Sequence, residues 1–314
     1  MQAILISKDL AQTAADQTPY SGQIHSVFDH AVNCTFRENG WMTLLTEEAA
    51  VGPMGLVIRG QSFRGMPLVA GMRLELGRGR LSIPDAGIGL QLKGVSEWDP
   101  HFAEIKTPAH LPERRERLLR LENWLRSGGN LAGIANVLDS LELPGRSRKL
   151  WSDMELNAFG QFALERVQEF VRALETLDPE LIRDKARGII GFGPGLTPSG
   201  DDFLAGAGAS LIALGPLLKL KKRVTADILA GIAEEAGGRT TRVSEEMLRH
   251  LAAGRLSRRM TAVQEALLSR EGPDINQALV ELGRMGETSG TDHGLGVLTA
   301  HRVLCSEETR RMQS

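Results

Sequence analysis

The glycine-rich stretch from Gly188 to Gly206 constrains the fold of this chain more than any other segment. Two isoleucines lead into a loop with several glycines and two prolines, and an apolar run rich in Ala and Leu follows. Such a run favours a helix, while glycines let a ligand approach the backbone of the loop before it. The free N–H groups of the first helical turn point toward that loop. The stretch therefore predicts an anion-binding site at a helix N-terminus.

Polar side chains crowd the end of this loop. Asp201 and Asp202 open the predicted helix and are the candidate catalytic acids. The candidate groups for binding an anion are Gly193, Gly195, Thr197, Ser199 and Gly200. Ser199 and Asp202 also have the spacing of a capping box, in which the acid only bonds the backbone of its own helix. Asp201 is then left over for a ligand, because adjacent helical positions project about 100° apart.

The same short pattern occurs a second time near the C-terminus. Ser199–Asp202 aligns without gaps to Ser289–Asp292, and a glycine follows each copy at the same spacing. The second copy has the same capping-box spacing, and both copies precede an apolar run that favours a helix. We expect the two helix starts to face each other across one pocket. Ser289 and Gly290 are candidates for binding the anion there, and Asp292 and His293 are further candidate catalytic residues.

A third glycine-containing loop, Gly237-Gly238, precedes Arg239 and Thr240. A guanidinium group recognises carboxylate or phosphate through paired hydrogen bonds, so Arg239 is a candidate for the anionic end of a ligand. Thr240 is a candidate binding residue as well. Either Thr240 or Thr241 also has the position of a cap for the helix that follows.

The acids beside the predicted anion site need a compensating charge or donor, because they repel a bare phosphate. Asp201, Asp202 and Asp292 could together hold a Mg²⁺ ion that bridges to the phosphate. Alternatively, the ligand itself could carry N–H groups that donate to the acids. The residues leave both possibilities open, and Mg²⁺ is the cofactor that the first of them requires.

The first third of the 314 residues has the pattern of β structure. Short runs of strand-forming residues end in Gly, Pro or Asn, which predicts a small barrel or sandwich over 1–105. The clearest unit is a hairpin at 72–83, where leucines alternate with charged residues on both sides of a glycine-bearing turn. A helical connector is predicted over 106–150.

The rest of the chain, 151–314, is predicted to form an α-helical domain. Ser152 and Glu155 have the spacing of a capping box before a helix that reaches about Leu177. Beyond the glycine loop, helices are expected near 201–215, 224–236, 242–253, 257–270, 274–285 and 293–305. Strands followed by helices, rather than alternating with them, predict the α+β fold class.

Composition narrows the class of partners. The formal net charge is −2, and charges of both signs are interspersed, so no nucleic-acid footprint is expected. The start of the chain lacks signal-peptide features and no long apolar run occurs, which predicts a cytoplasmic protein without a membrane partner. Cys34 and Cys305 lack metal-ligand spacing, which favours a reduced compartment. The expected ligand is a small anionic substrate, and an oligomer is possible.

The motifs resemble those of a bacterial family long catalogued only as a domain of unknown function. The resemblance covers Gly191–Gly206, Arg239–Ser244 and Ser289–Asp292. One type of member is the small subunit of oxamate carbamoyltransferase from anaerobic allantoin degradation. That enzyme exchanges a carbamoyl group between oxalurate and phosphate, giving oxamate and carbamoyl phosphate. The resemblance implies a transferase subunit that works with a larger synthetase-like subunit.

Three functions therefore compete. The first is a carbamoyl-transfer enzyme subunit that binds oxalurate or carbamoyl phosphate at the two helix starts. The second is a Mg²⁺-dependent hydrolase that uses Asp201, Asp202 and Asp292. The third is a non-catalytic partner subunit of a multisubunit enzyme, in which the glycine loops shape a protein interface.

Overall fold

The structure is a computed structural model that describes residues 1–36, 40–145, 156 and 158–313, with side chains described up to Ser306. It divides into two compact units. Unit 1 comprises Met1–His101 with Arg255–Arg259, and unit 2 comprises Phe102–Gly254 with Met260–Ser314. Within the described ranges, no helix combines the length and the apolarity that a membrane crossing needs.

Unit 1 contains one curled sheet of nine strands, and its order along the sheet is β8-β7-β6-β2-β3-β4-β5-β1-β9. The strands are β1 (Ala3–Ser7), β2 (Tyr20–Val27), β3 (Ala31–Phe36), β4 (Trp41–Leu45), β5 (Gly55–Ile58), β6 (Arg73–Gly77), β7 (Arg80–Ile83), β8 (Ile88–Gln91) and β9 (Ser96–Trp98). Neighbours pair antiparallel except β1 with β9 and β4 with β5. Helix α1 (Lys8–Ala15) buries Leu10 and Ala14 in the same core as the strands.

The predicted hairpin is the clearest case of local sequence deciding local structure. Strands β6 and β7 pair with Glu75 opposite Ser82, so the leucines of one face lie together. Leu74, Leu76 and Leu81 are buried, while the charged residues between them face outward. The alternation of apolar and charged residues therefore sets which face of this hairpin joins the core.

Unit 2 is helical. Its helices are α2 (Leu111–Ser127), α3 (Ala158–Thr176), α4 (Pro179–Arg187), α5 (Ser199–Leu217), α6 (Lys222–Ala236), α7 (Arg242–Ala252), α8 (Arg258–Leu268, whose first two residues belong to unit 1), α9 (Ile275–Gly283) and α10 (Ser289–Gln313). A seven-residue 3-10 helix, Ile134–Ser140, follows α2. Nearly every residue of α5 is buried, which is typical of a helix that is apolar all round.

Helices α5 and α10 cross at unusually close range because each offers a glycine to the backbone of the other. A Cβ atom on Gly206 would lie 2.0 Å from the carbonyl oxygen of His293. Likewise, a Cβ atom on Gly296 would lie 2.0 Å from the carbonyl oxygen of Phe203. These four residues occupy equivalent positions in the two sequence copies, so the repeat folds as a reciprocal pair around a local pseudo-twofold axis.

The α+β class is confirmed, and the predicted helices beyond the glycine loop agree with α5 to α10 to within a few residues, except that α10 starts earlier and extends further. Instead of a closed barrel or a two-layer sandwich, unit 1 is a half-barrel with free edges at β8 and β9. The division into 1–105, 106–150 and 151–314 stays a prediction. The predicted Ser152–Glu155 capping box lies outside the described residues.

Candidate functional site

The N-terminal ends of α5 and α10 lie side by side, as the repeat predicts. The hydroxyl oxygens of Thr197 and Ser289 are 3.0 Å apart although 92 positions separate them in the sequence. One turn into the helices, the Nδ1 atom of His293 lies 3.5 Å from the Oδ1 atom of Asp202. The two helix starts therefore form one cluster of hydroxyl, carboxyl and imidazole groups.

The glycine loop before α5 is shaped by backbone conformations that favour glycine. Gly193 has a φ of 124°, and Gly195 has a φ of 98°. A Cβ atom on Gly193 would also lie 2.7 Å from the Ser199 nitrogen, so the loop folds back directly onto the first residue of the helix. The amide of Gly200 donates to the carbonyl oxygen of Phe192 at 2.8 Å. One of the helix-start amides is thus used within the loop.

Asp201 ties the glycine loop to the Arg239-Thr240 segment. It is 0 % exposed, and one of its oxygens accepts the Gly191 amide at 2.8 Å while the other accepts the Thr240 hydroxyl. Burial raises the pKa of this carboxyl, and the Thr240 and Ser244 hydroxyls and the Gly191 amide act in the opposite direction. Both oxygens of Asp201 thus have internal partners, and a role of this side chain toward a ligand stays a prediction.

Replacing Asp201 with Ala is therefore expected to destabilise the protein by about 1–3 kcal/mol, because it leaves the buried Gly191 amide without its acceptor. Urea denaturation of the full chain measures this change. Asp227→Ala is a suitable control, since Asp227 has a half-exposed side chain whose ion-pair partner in the described part of the chain is Arg223 at 3.4 Å. Equal midpoints for Asp201→Ala and the wild type would contradict the structural role.

Asp202 is the carboxyl between the two helix starts. It is 1 % exposed; one oxygen accepts the Thr197 hydroxyl at 3.2 Å, and Oδ1 has no hydrogen-bond partner among the described residues. Burial raises the pKa of Asp202 to about 8, with a further contribution from the charge of Asp201, whereas the hydroxyls of Ser289 and Thr197 oppose the shift. The group is therefore mostly protonated at neutral pH.

Asp292 occupies the equivalent position on α10 and caps a different helix. Its Oδ1 accepts the amide of Ala135, at the start of the 3-10 helix, at 2.9 Å, while Oδ2 lacks a partner in the described part of the chain. Burial raises the pKa of Asp292 to about 7; the charge of Asp202 contributes to the rise, and the Ser199 hydroxyl counteracts it. A Cβ atom on Gly133 would lie 2.3 Å from Oδ2, so this carboxyl rests against the backbone.

The two serines act crosswise rather than within their own copies. The Ser289 hydroxyl on α10 influences Asp202 on α5, and the Ser199 hydroxyl on α5 influences Asp292 on α10. Helix α5 has no side-chain cap, and Asp292 bonds a distant amide. At α5 the capping-box interpretation is therefore wrong, because no side chain caps this helix and the Ser199 hydroxyl acts on the acid of the other copy.

His293 is 4 % exposed, and its Nδ1 lies 2.8 Å from the carbonyl oxygen of Ser289. Burial lowers the pKa of this imidazole, so it is neutral near pH 7. A carbonyl oxygen only accepts, which places the proton on Nδ1. His293 therefore packs against Asp202 as a neutral ring with a set tautomer.

The remaining predicted residues lie around the same loop. The backbone carbonyl oxygen of Arg239 packs against Gly191. The guanidinium group of Arg239 points instead to Glu235, with Nε 3.5 Å from Oε2. Thr241 caps α7 by accepting the Ser244 amide at 3.2 Å, and its own hydroxyl donates to the Leu196 carbonyl oxygen. The binding roles of all these residues stay predictions.

Sequence reasoning missed the second glycine segment of the site, between α2 and the 3-10 helix. Thr291, at the position equivalent to Asp201, accepts the amide of Asn130 at 2.9 Å. Asp201 holds the glycine loop before α5 in the same way. The sequence signal for this segment was the alignment of Thr291 with Asp201. Each of these third positions accepts an amide from a glycine-rich segment.

No group of three or more His, Cys, Asp or Glu side chains in the described residues is arranged to hold a metal ion. Asp201 points to Gly191 and Thr240, and Asp292 points to Ala135. The three acids therefore do not form the shared carboxylate cage that the Mg²⁺ hypothesis requires.

The fold and the candidate site define the class of this protein. It is an α+β chain with a half-barrel unit and with a helical unit built on a buried, duplicated Ser-Gly-x-Asp motif. Residues 189–301 match the family described as oxamate carbamoyltransferase subunit AllH, and residues 2–97 match the AllH family N-terminal domain. The chain belongs to the AllH family. No curated protein and no solved structure matched the chain significantly.

Proposed function

We propose that this chain is a subunit of a carbamoyl-transfer enzyme that acts on oxalurate and phosphate, with its ligand site at the starts of α5 and α10. The family description supports the reaction class. The observation that carries the site is the contact of Thr197 with Ser289 beside Asp202, whose buried Oδ1 has no hydrogen-bond partner within the described ranges. A buried, unpaired carboxyl oxygen favours a ligand that donates a hydrogen bond.

The carbamoyl group of oxalurate has the donors that such a site needs. Its NH₂ group can donate to Asp202 Oδ1, and its carbonyl can accept from the Ser289 hydroxyl, because the single hydroxyl proton of Thr197 is donated to Asp202 Oδ2. A site lined by unpaired polar groups discriminates strongly against ligands that lack the matching donors. This pairing favours the second of the two possibilities left open by the sequence, in which the ligand supplies N–H groups to the acids.

The transfer requires one proton at the leaving nitrogen. An oxygen of phosphate attacks the carbamoyl carbon, the bond from that carbon to the oxamate nitrogen breaks, and the nitrogen takes up a proton. Asp202, with its pKa raised to about 8, is the proposed donor of that proton. Asp292 interacts with Asp202, so the two carboxyls titrate as a pair. His293 and Asp201 act as positioning residues.

A companion subunit belongs to the proposal, because the family is described as one subunit of the enzyme. We propose a larger synthetase-like chain as this companion, acting in the cytoplasm. No observation favours the hydrolase, since the three acids point to separate partners.

The test is binding of oxamate to the full-length chain, alone and in the assembled enzyme. Ser289→Ala and Thr197→Val are each expected to weaken binding at least about tenfold, since each removes a hydroxyl from the proposed site. Isothermal calorimetry measures the affinity. Ser127→Ala removes an exposed hydroxyl at the end of α2 and serves as the matched control. Wild-type affinity in both site variants, or no binding by the assembled wild type, would refute the proposed site.

A further inference from the structure

We propose that the guanidinium groups of Arg187 and Arg239, organised by Glu235, form a phosphate subsite beside the glycine loop. The inference rests on the proposed function, because a transfer to phosphate needs a place for phosphate away from the buried carboxyls. Asp202 and Asp292 repel an anion whenever they are charged. An arginine cluster that is joined to the glycine loop is therefore a suitable position for the second reactant.

Glu235 is the buried centre of this cluster. It is 6 % exposed and lies on α6. Arg187 binds both of its oxygens, with Nε at 2.8 Å and a terminal nitrogen at 3.0 Å, and Arg183 donates to Oε1 at 2.9 Å. These hydrogen bonds hold the pKa of Glu235 at about 2. Its acceptor capacity is thus largely used by two arginines.

Arg239 is the third guanidinium at the same carboxylate, and it is held loosely. Its Nε is 3.5 Å from Oε2, its guanidinium makes no hydrogen bond to the described residues, and its side chain is 52 % exposed. A guanidinium carries five N–H donors in a planar fork that fits two phosphate oxygens. Arg239 therefore has donors available, whereas Arg183 and Arg187 are engaged.

The cluster is joined to the helix starts by backbone and side-chain contacts. Arg187 is the last residue of α4, from which the chain enters the glycine loop. A Cβ atom on Gly191 would lie 2.3 Å from the Arg239 carbonyl oxygen. Asp201 binds the Gly191 amide and the hydroxyl of Thr240, the residue after Arg239. A phosphate on Arg239 would consequently lie beside the loop that leads to Ser199.

The net charge of the arginine cluster is not sufficient by itself to bind phosphate. Glu234 pairs with Arg183 at 3.2 Å, and Glu180 and Asp184 act on the cluster from α4. Asp184 is itself 3.4 Å from the Lys185 ammonium. The acids offset much of the positive charge, so recognition depends on the paired donors of Arg239. Arg187 contributes through its half-exposed edge.

The experiment is thermal unfolding of the full-length chain in increasing inorganic phosphate, with chloride at equal ionic strength as reference. Phosphate is expected to raise the melting temperature of the wild type, and Arg239→Gln is expected to weaken apparent phosphate affinity at least about fivefold. Arg223→Gln is the matched control, because Arg223 lies on α6 with a 91 % exposed side chain. Arg239→Lys should retain part of the affinity, since lysine keeps the charge without the fork.

A parallel titration with carbamoyl phosphate separates two sources of the same chemistry. If Arg239→Gln binds inorganic phosphate more weakly than the wild type, the ligand of the subsite is the free anion. If the variant binds only carbamoyl phosphate more weakly, the ligand is the phosphoryl end of the product. Either result supports the subsite. Wild-type phosphate affinity in Arg239→Gln together with its loss in Ser289→Ala would overturn the subsite and place the anion at the helix starts. Absence of any effect of either ligand on the wild type would also overturn it. Oxamate binding tests the proposed function separately.

Discussion

Alanine at Gly206 or Gly296 is expected to destabilise the protein by about 3 kcal/mol, near the upper end of overpacking costs. Each new Cβ would lie 2.0 Å from a carbonyl oxygen of the facing helix. Backbone atoms cannot move aside as a flexible side chain can, so α5 and α10 must separate along their whole contact. Separation would also part Thr197 from Ser289, and we expect oxamate binding to be lost in the same variants.

Urea denaturation of the two variants measures the loss. Gly231→Ala on α6 is the matched control, because its Cβ would make an ordinary contact of 3.4 Å with the Arg183 side chain. Alanine favours a helix over glycine by up to about 1 kcal/mol, so the control should be neutral or stabilised. If Gly206→Ala and Gly296→Ala behave like Gly231→Ala, the close crossing of the helices is wrong.

Asparagine at Asp202 is expected to remove a pH-dependent loss of stability. The pKa of Asp202 rises from 3.8 to about 8 on folding, so the folded state favours the protonated form. The stabilisation is fully present below about pH 4 and is lost as the pH rises through about 8. Between pH 7 and pH 9 the wild type should lose about 1.4 kcal/mol through this group, and Asp202→Asn should not.

The difference in unfolding free energy between wild type and variant, measured by urea denaturation at pH 7 and pH 9, reports the titration of Asp202 together with the change that it imposes on Asp292. Burial lowers the pKa values of His293 and His301 below 6.5, so the stability that these imidazoles contribute is lost as the pH falls, not between pH 7 and pH 9. Asp227→Asn, at a half-exposed carboxylate, should follow the wild type. A wild type and an Asp202→Asn variant that lose stability in parallel above pH 7 would show that Asp202 is already ionised.

Both experiments test the close contact between the two copies of the Ser-Gly-x-Asp motif. The duplicated motif brings two acids, two serines and one histidine into one cluster at the helix starts. Reciprocal glycines permit the close crossing, and the crossing exchanges the serines between the acids. A buried carboxyl whose pKa lies near neutrality is a common property of proton-transfer sites.

Local sequence determined much of the fold. Alternating residues predicted the β6–β7 hairpin, and helical periodicity predicted α5 to α10, because these patterns act over a few residues. Strands β1, β3 and β9 were not predicted individually. The first is fully defined only by its pairing with β5 and β9, and the second by pairing with β2 and β4. Pairing between distant segments leaves little trace in any single stretch.

The sequence by itself also determined which two helix starts form the candidate site, since the repeated Ser-Gly-x-Asp pattern and its trailing glycines marked both of them. Only the tertiary structure decided what each acid does. Asp201 binds the glycine loop and Asp292 binds Ala135, while Asp202 and Asp292 each keep one oxygen without a hydrogen-bond partner among the described residues. The physical reason is that a buried carboxyl takes its partners from whatever backbone and hydroxyl groups the helix crossing brings within reach, and those groups come from segments far apart in the chain.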